Sequence, residues 1–137
     1  MSGPRGTVRG MDAEGDGDWT VSRHLDGQPA ASAALYRRFI ELVEQIGPFE
    51  YRVTKTTITL KGERRGFAGA RPVHAGIRGY LDLQRAVQDP RIVSVAPYTK
   101  RLFVHHFTIR DVDEMDAEFI GWLHEAYAVG AGAHLGG

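Results

Sequence analysis

Bases placed at alternate positions of a β-rich run are the first residues of this chain with chemistry to offer. In 55–61 a period of two puts Lys55, Thr57, Thr59 and Lys61 on one face, with Ile58 and Leu60 on the other. In 77–83 the same period sends Arg78, Tyr80 and Asp82 outward and Ile77, Leu81 and Leu83 inward. Arg64-Arg65 and Lys100-Arg101 add paired bases from loops. Ammonium and guanidinium groups beside hydroxyls and a tyrosine can follow a phosphate backbone, with Tyr80 stacking on a base. Nucleic acid or another polyanion is the expected partner. The same Lys and Arg would also serve to keep an exposed sheet face in water and to guard its edges. Neither an RNP-like segment nor a GXXG motif is present.

Histidine offers a second chemistry. His105 and His106 are adjacent, so on a strand they face opposite sides and cannot hold one ion together. One of them could join His74 and Lys55 in a metal-independent phosphodiesterase site, with one imidazole as base, the other as acid, and the ammonium stabilising developing charge. The competing role is a hydrogen-bonded histidine in the core. His24, close to Asp26, reads as a local hydrogen-bonding residue. A metal nuclease would need paired carboxylates and a lysine on adjacent strands. Asp89-Pro90 lies in a turn and lacks a following E-x-K. There is no G-x-x-x-x-G-K-[ST] and no G-x-S-x-G, and Gly62, Gly66, Gly69, Gly76 and Gly79 are scattered rather than grouped as a phosphate loop. The chain has no cysteine, which removes disulfides, thiolate catalysis and cysteine-containing zinc sites. No catalytic residue, metal or cofactor is expected.

Trp122, three residues after Phe119, sits at the margin of an apolar stripe. It either packs on the sheet rim or anchors a protein partner or a homodimer.

The elements that position these residues follow from periodicity. WTVSRHL (19–25) suits a short strand, although Ser22 could cap a helical turn. Leu35, Tyr36, Phe39, Leu42, Val43 and Ile46 recur at spacings of three and four, the stripe of an amphipathic helix ended by Gly47-Pro48. YRVTKTTITL, rich in β-branched residues, predicts a strand that ends at Lys61-Gly62. Strands are expected at 67–73, 77–83, 91–98 and 102–109, with a helical turn at 84–88 and a hairpin loop at 99–101. The segment 102–109 is apolar on both faces and belongs inside the sheet. Asp111–Val129 predicts the closing helix. Asp113 is its expected N-cap, Asp116 completes a capping box, and Phe119, Ile120, Leu123, Ala126 and Tyr127 form the buried stripe.

Composition sets the frame. The 137 residues suit one core, with 42% hydrophobic and 25% charged residues. No apolar run reaches the roughly 18–20 residues of a membrane span, and no signal peptide is evident, so no membrane partner and a cytoplasmic location are expected. Residues 1–18 are Gly-rich and acidic and are expected to form a disordered tail, with Met11 as a second candidate start. The folded domain is placed at 19–130 and a flexible end at 131–137. Net charge is zero, yet residues 51–110 carry twelve Lys or Arg against three acids, while residues 111–137 carry six acids and neither base. Five of those acids lie at the N-terminal end of the closing helix, where the macrodipole favours them.

The segment His105–Tyr127, H-H-F-T-I-x-D-x-D-E-x-D-x-E-F-I-x-W-L-x-E-A-Y, resembles a bacterial family of unknown function. Further shared features are H-L-x-G and an L-Y helix (His24, Leu25, Gly27, Leu35, Tyr36), K-x-x-I-x-L (Lys55, Ile58, Leu60), R-x-F-A (Arg65, Phe67, Ala68) and P-R-I (Pro90, Arg91, Ile92). The resemblance covers about residues 20–130. It implies a small helix-flanked antiparallel sheet, in a domain sometimes attached to proteins of DNA metabolism. It implies no catalytic residues.

Together these readings predict a two-layer α+β domain in which an antiparallel sheet of about four or five strands carries both helices on one face. Its expected role is binding nucleic acid or phosphate groups through Lys55, Thr57, Thr59, Lys61, Arg64, Arg65, Arg78, Tyr80, Lys100 and Arg101. A protein-interaction or dimerisation module using the C-terminal helix is the alternative.

Overall fold

The computed structural model describes residues 19–99 and 101–135. The elements are α1 (Val21–Leu25), α2 (Ala30–Ile46), β1 (Glu50–Val53), β2 (Ile58–Lys61), β3 (Gly66–Val73), β4 (Gly76–Leu83), β5 (Ile92–Thr99), β6 (Leu102–Ile109) and α3 (Ala117–Gly130). Short 3-10 turns occupy Val112–Glu114 and Ala133–Leu135. The six strands form one antiparallel sheet in the order β1-β2-β3-β4-β6-β5. Helices α2 and α3 lie against β3 and β4 and touch each other.

The sheet has six strands rather than four or five because the run 51–60 is a hairpin, not one strand. Thr54 causes the break: its Oγ1 accepts from the Thr56 and Thr57 amides at 3.3 and 3.2 Å, and its amide donates to the Thr57 carbonyl at 2.9 Å. A threonine hydroxyl that bonds its own backbone offers the chain a turn where propensity favours a strand. Segment 19–25 is helical over Val21–Leu25, and Thr20 rather than Ser22 caps it by accepting from the Arg23 amide. No helix forms at 84–88.

Both helix starts near the acidic segment are shifted from expectation. Asp111 and Glu114 form the capping box, and they cap the 3-10 turn. Asp116 then caps α3 itself by accepting from the Phe119 amide at 3.0 Å. The chain beyond α3 stays folded as far as Leu135, and the His134 carbonyl accepts from Arg101 Nη1 at 2.9 Å. The expected tail at 1–18 lies outside the described residues, as does Lys100.

Register explains the core. Tyr51 pairs with Leu60, Leu60 with Ala68, Ala68 with Leu81, and Leu81 with His105, so one face of the sheet turns all of them toward the helices. A bulge between Leu60 and Lys61 lets Phe67 join that side, where its ring meets Tyr127 edge-on at 5.2 Å. Phe39, Phe107 and Phe119 form the centre, with ring centroids 5.4–6.3 Å apart. Trp122 continues this cluster, 6.0 Å from Phe119, and is buried. Burying each of these aromatics contributes on the order of 1.5–3 kcal/mol. The buried stripe of α3 therefore runs through Phe119, Trp122, Leu123 and Ala126, with Ile120 and Tyr127 only partly covered. Trp122 is not available as a surface anchor.

Candidate functional site

The second face of the sheet is not covered by α2 or α3, and register sorts its side chains into rows. Across β3, β4 and β6 the first row reads Arg71, Arg78, Thr108. The next row reads Thr59, Gly69, Tyr80, His106, Ser94 across β2, β3, β4, β6 and β5. A third row has Asp82, Val104 and Ala96. The tight β3–β4 connection at His74-Ala75 sets the pairing, and Gly76 supplies the φ of +133° there.

The middle row has a defined internal geometry. A Cβ at Gly69 would lie 2.8 Å from Tyr80 Cε1, so the tyrosine ring leans over the glycine. Tyr80 Oη donates to Thr59 Oγ1 at 3.3 Å, and burial raises the phenol pKa above its ordinary value. On the other side, His106 Nδ1 lies 3.3 Å from Ser94 Oγ. The result is an aromatic laid across the sheet between two hydroxyl-bearing strands.

Two recesses flank Tyr80 and share it with His106. One, of about 400 Å³, is lined by Thr57, Arg71, Arg78, Ser94 and Thr108. The other, of about 580 Å³, is lined by Arg65, Asp82, Tyr98 and Val104.

Electrostatics separate the two recesses. Among the described residues, Arg52, Arg65, Arg85 and Arg91 of the middle segment meet acids. Arg85 makes a bidentate pair with Glu125 at 2.9 and 2.8 Å. Arg91 bonds Asp89, Asp116, Glu118 and the Glu114 carbonyl at 2.7–3.0 Å, and its guanidinium lies over Trp122 at 4.7 Å. Arg65 Nη2 donates to Asp82 Oδ2 at 2.7 Å. Burial raises the Asp82 pKa while Arg65 pulls it down. Arg71 and Arg78 differ: they face each other across adjacent strands, and neither has a hydrogen bond or ion pair among the described residues. Like charges directly opposite on neighbouring strands are destabilising.

Of the residues expected from sequence, Thr57, Thr59, Arg65, Arg78 and Tyr80 line this face or its recesses. Lys55 is exposed in the β1–β2 turn. Lys61 reaches a rim groove beside Phe49 and Tyr127, and its Nζ donates to the Gly62 carbonyl at 3.4 Å. Arg64 and Arg101 sit instead near the C-terminal end of α3. The Arg64 amide donates to the Gly130 carbonyl at 2.8 Å, and Arg101 is bonded to His134 as above. Arg71, Ser94 and Thr108 join the site unforeseen, and His106, considered above only for a two-histidine site, joins it as well. The signal for Arg71 was present: a turn at His74-Ala75 fixes it opposite Arg78.

The two-histidine arrangement is not assembled. His105 faces the core, where its Nε2 accepts from the Val87 amide at 2.9 Å and its Nδ1 donates to the Phe103 carbonyl at 3.0 Å. Burial lowers its pKa. His74 is exposed in the β3–β4 turn, five residues from Gly69 of the His106 row, or roughly 16 Å along the strand. His24 is not a local partner of Asp26; its Nε2 donates to the Thr54 carbonyl at 2.7 Å, tying α1 to the hairpin. Among the described residues no cluster of three or more metal-ligating side chains occurs, and no helix is long and apolar enough to cross a membrane.

Comparison with known proteins gives one match. The model of a family described as a domain of unknown function, DUF5655, matches residues 21–130. No curated protein and no solved structure matches the chain.

Proposed function

The chain belongs to the DUF5655 family, and we propose that its uncovered sheet face binds single-stranded nucleic acid by the phosphate backbone. The facing pair Arg71 and Arg78 carries this reading. Two cationic residues directly opposite on adjacent strands, with no acid among the described residues, repel each other, and an anion between them removes that repulsion. A phosphate suits that position, since guanidinium forks match its oxygens. Thr57, Thr108 and Ser94 add hydroxyls around the same recess. Tyr80 and His106 place two rings in the next row, where a base of an unpaired strand could stack. A recess of about 400 Å³ suits a nucleotide rather than the width of a duplex.

Anisotropy of a labelled 20-nucleotide single strand, titrated over a range of salt, tests the proposal. Binding should weaken linearly in log–log form, by a slope of about −0.7 for each phosphate contacted. No binding at low salt would refute it.

A further inference from the structure

We infer that the recess beyond Tyr80 is the base-reading half of the same site, and that it selects bases carrying an exocyclic amine. This rests on the single-strand reading above. The recess joins the phosphate recess at Tyr80 and His106, so one ligand can occupy both.

Its chemistry is the opposite of the arginine end. Asp82 lies two residues beyond Tyr80 on the same face, and its side chain is 5% exposed. One oxygen, Oδ2, accepts from Arg65; Oδ1 has no hydrogen bond among the described residues. A carboxylate accepts and does not donate, so it takes N–H groups and rejects carbonyls and phosphates. Arg65 is tied to this recess by two of its nitrogens and its guanidinium face. Its Nε donates to the Gly66 carbonyl at 3.0 Å, its Nη2 holds Asp82, and its guanidinium lies over the Tyr98 ring at 5.2 Å. It is thus a positioning residue for the carboxylate and the ring. Tyr98 is 58% exposed, which leaves ring area for a base. Val104 supplies an apolar surface beside it.

Span agrees with one nucleotide. Arg78 and Asp82 are four residues apart on β4, or about 13 Å. The arginine side chains shorten that toward the distance from a phosphate to the far edge of its base. Cytosine fits because its amine is a donor, whereas the corresponding edge of thymine presents a carbonyl.

The test compares decamers of deoxycytidine, of thymidine and of abasic deoxyribose phosphate by anisotropy at low salt. Both base decamers are pyrimidine strands, so weak self-stacking does not separate them. The deoxycytidine strand should bind about tenfold more tightly than the thymidine strand. Asp82→Asn should erase that preference, and Tyr98→Ala should weaken both base-bearing strands by about tenfold toward the abasic one. If all three strands bind alike, the inference is overturned while phosphate binding stands. If none binds, the underlying reading fails as well. Should Asp82→Asn not fold by circular dichroism, the comparison on the intact protein and on Tyr98→Ala decides, because Tyr98 is a surface residue.

Discussion

Arg71 and Arg78 are direct cross-strand partners on β3 and β4, and neither meets an acid among the described residues. The arrangement sets stability against binding. Replacing either arginine with glutamine should stabilise the ligand-free protein by roughly 0.2–1 kcal/mol, because it removes a like-charge pair. A urea denaturation midpoint that rises in Arg71→Gln and in Arg78→Gln would agree. A midpoint that falls in both would mean the pair is held by interactions of another kind.

Arg91 should behave in the opposite way. Its side chain is 9% exposed and is bonded by Asp89, Asp116 and Glu118 while lying over Trp122. Arg91→Ala leaves that acid cluster without its cation and should cost about 3 kcal/mol. Arg91→Lys keeps the charge but not the planar fork, and should fall between the two. Chemical denaturation of the three proteins checks the order.

Stability should fall with mild acid. The His105 ring is buried, with Nε2 accepting from Val87, and burial lowers its pKa. His134 is shifted in the same direction. The unfolded chain titrates near the ordinary histidine value of about 6.5 and there binds protons that the folded state does not. Stability is therefore full above that pH and declines as pH drops from about 6.5 toward 5.5. Asp82, whose pKa is raised, works in the other direction, but only in the lower range where carboxylates titrate. Urea midpoints measured at pH 7.5, 6.5 and 5.5 test this, and His105→Gln should flatten the trend.

Among the described residues the buried Tyr36 hydroxyl has no hydrogen-bond partner, and burial raises its pKa well above the ordinary value. An unsatisfied buried hydroxyl costs about 1–3 kcal/mol. Tyr36→Phe should therefore leave stability unchanged or raise it by up to about 1 kcal/mol, read as a shift in melting temperature. A marked loss would point to an unseen partner for the oxygen.

What was legible in the sequence depended on how local the deciding interaction is. The stripe Leu35–Tyr36–Phe39–Leu42–Val43 and the strand around 77–83 announce themselves by period, and 102–109 by being apolar on both faces. The hairpin at Thr54 does not, because the turn is closed by the hydroxyl of a residue type that favours strands. Caps near 111–116 are ambiguous because four acids compete for them, and only packing of Phe119 and Trp122 selects Asp116. The site suffered most. Alternation found Arg78 and Tyr80, but Lys55 and Lys61 left the shared face with the Thr54 turn and the Leu60–Lys61 irregularity. Charge sorting has a structural meaning that composition conceals: Arg85 and Arg91 of the basic middle are the partners of Glu125, Asp116 and Glu118 in the acidic end. Away from those pairs, Arg71 and Arg78 stand opposite each other on the uncovered face, with no acid partner among the described residues.

The most direct measurement is therefore the salt dependence of single-strand binding in the intact protein and in the Arg71→Gln/Arg78→Gln double variant. The intact protein should bind a 20-nucleotide strand at low salt, and the double variant, which loses the phosphate held between the two arginines, should bind more weakly with a log–log slope smaller in magnitude by about 0.7. Equal slopes and affinities in the two proteins would contradict the account, whatever other surface then proved to bind.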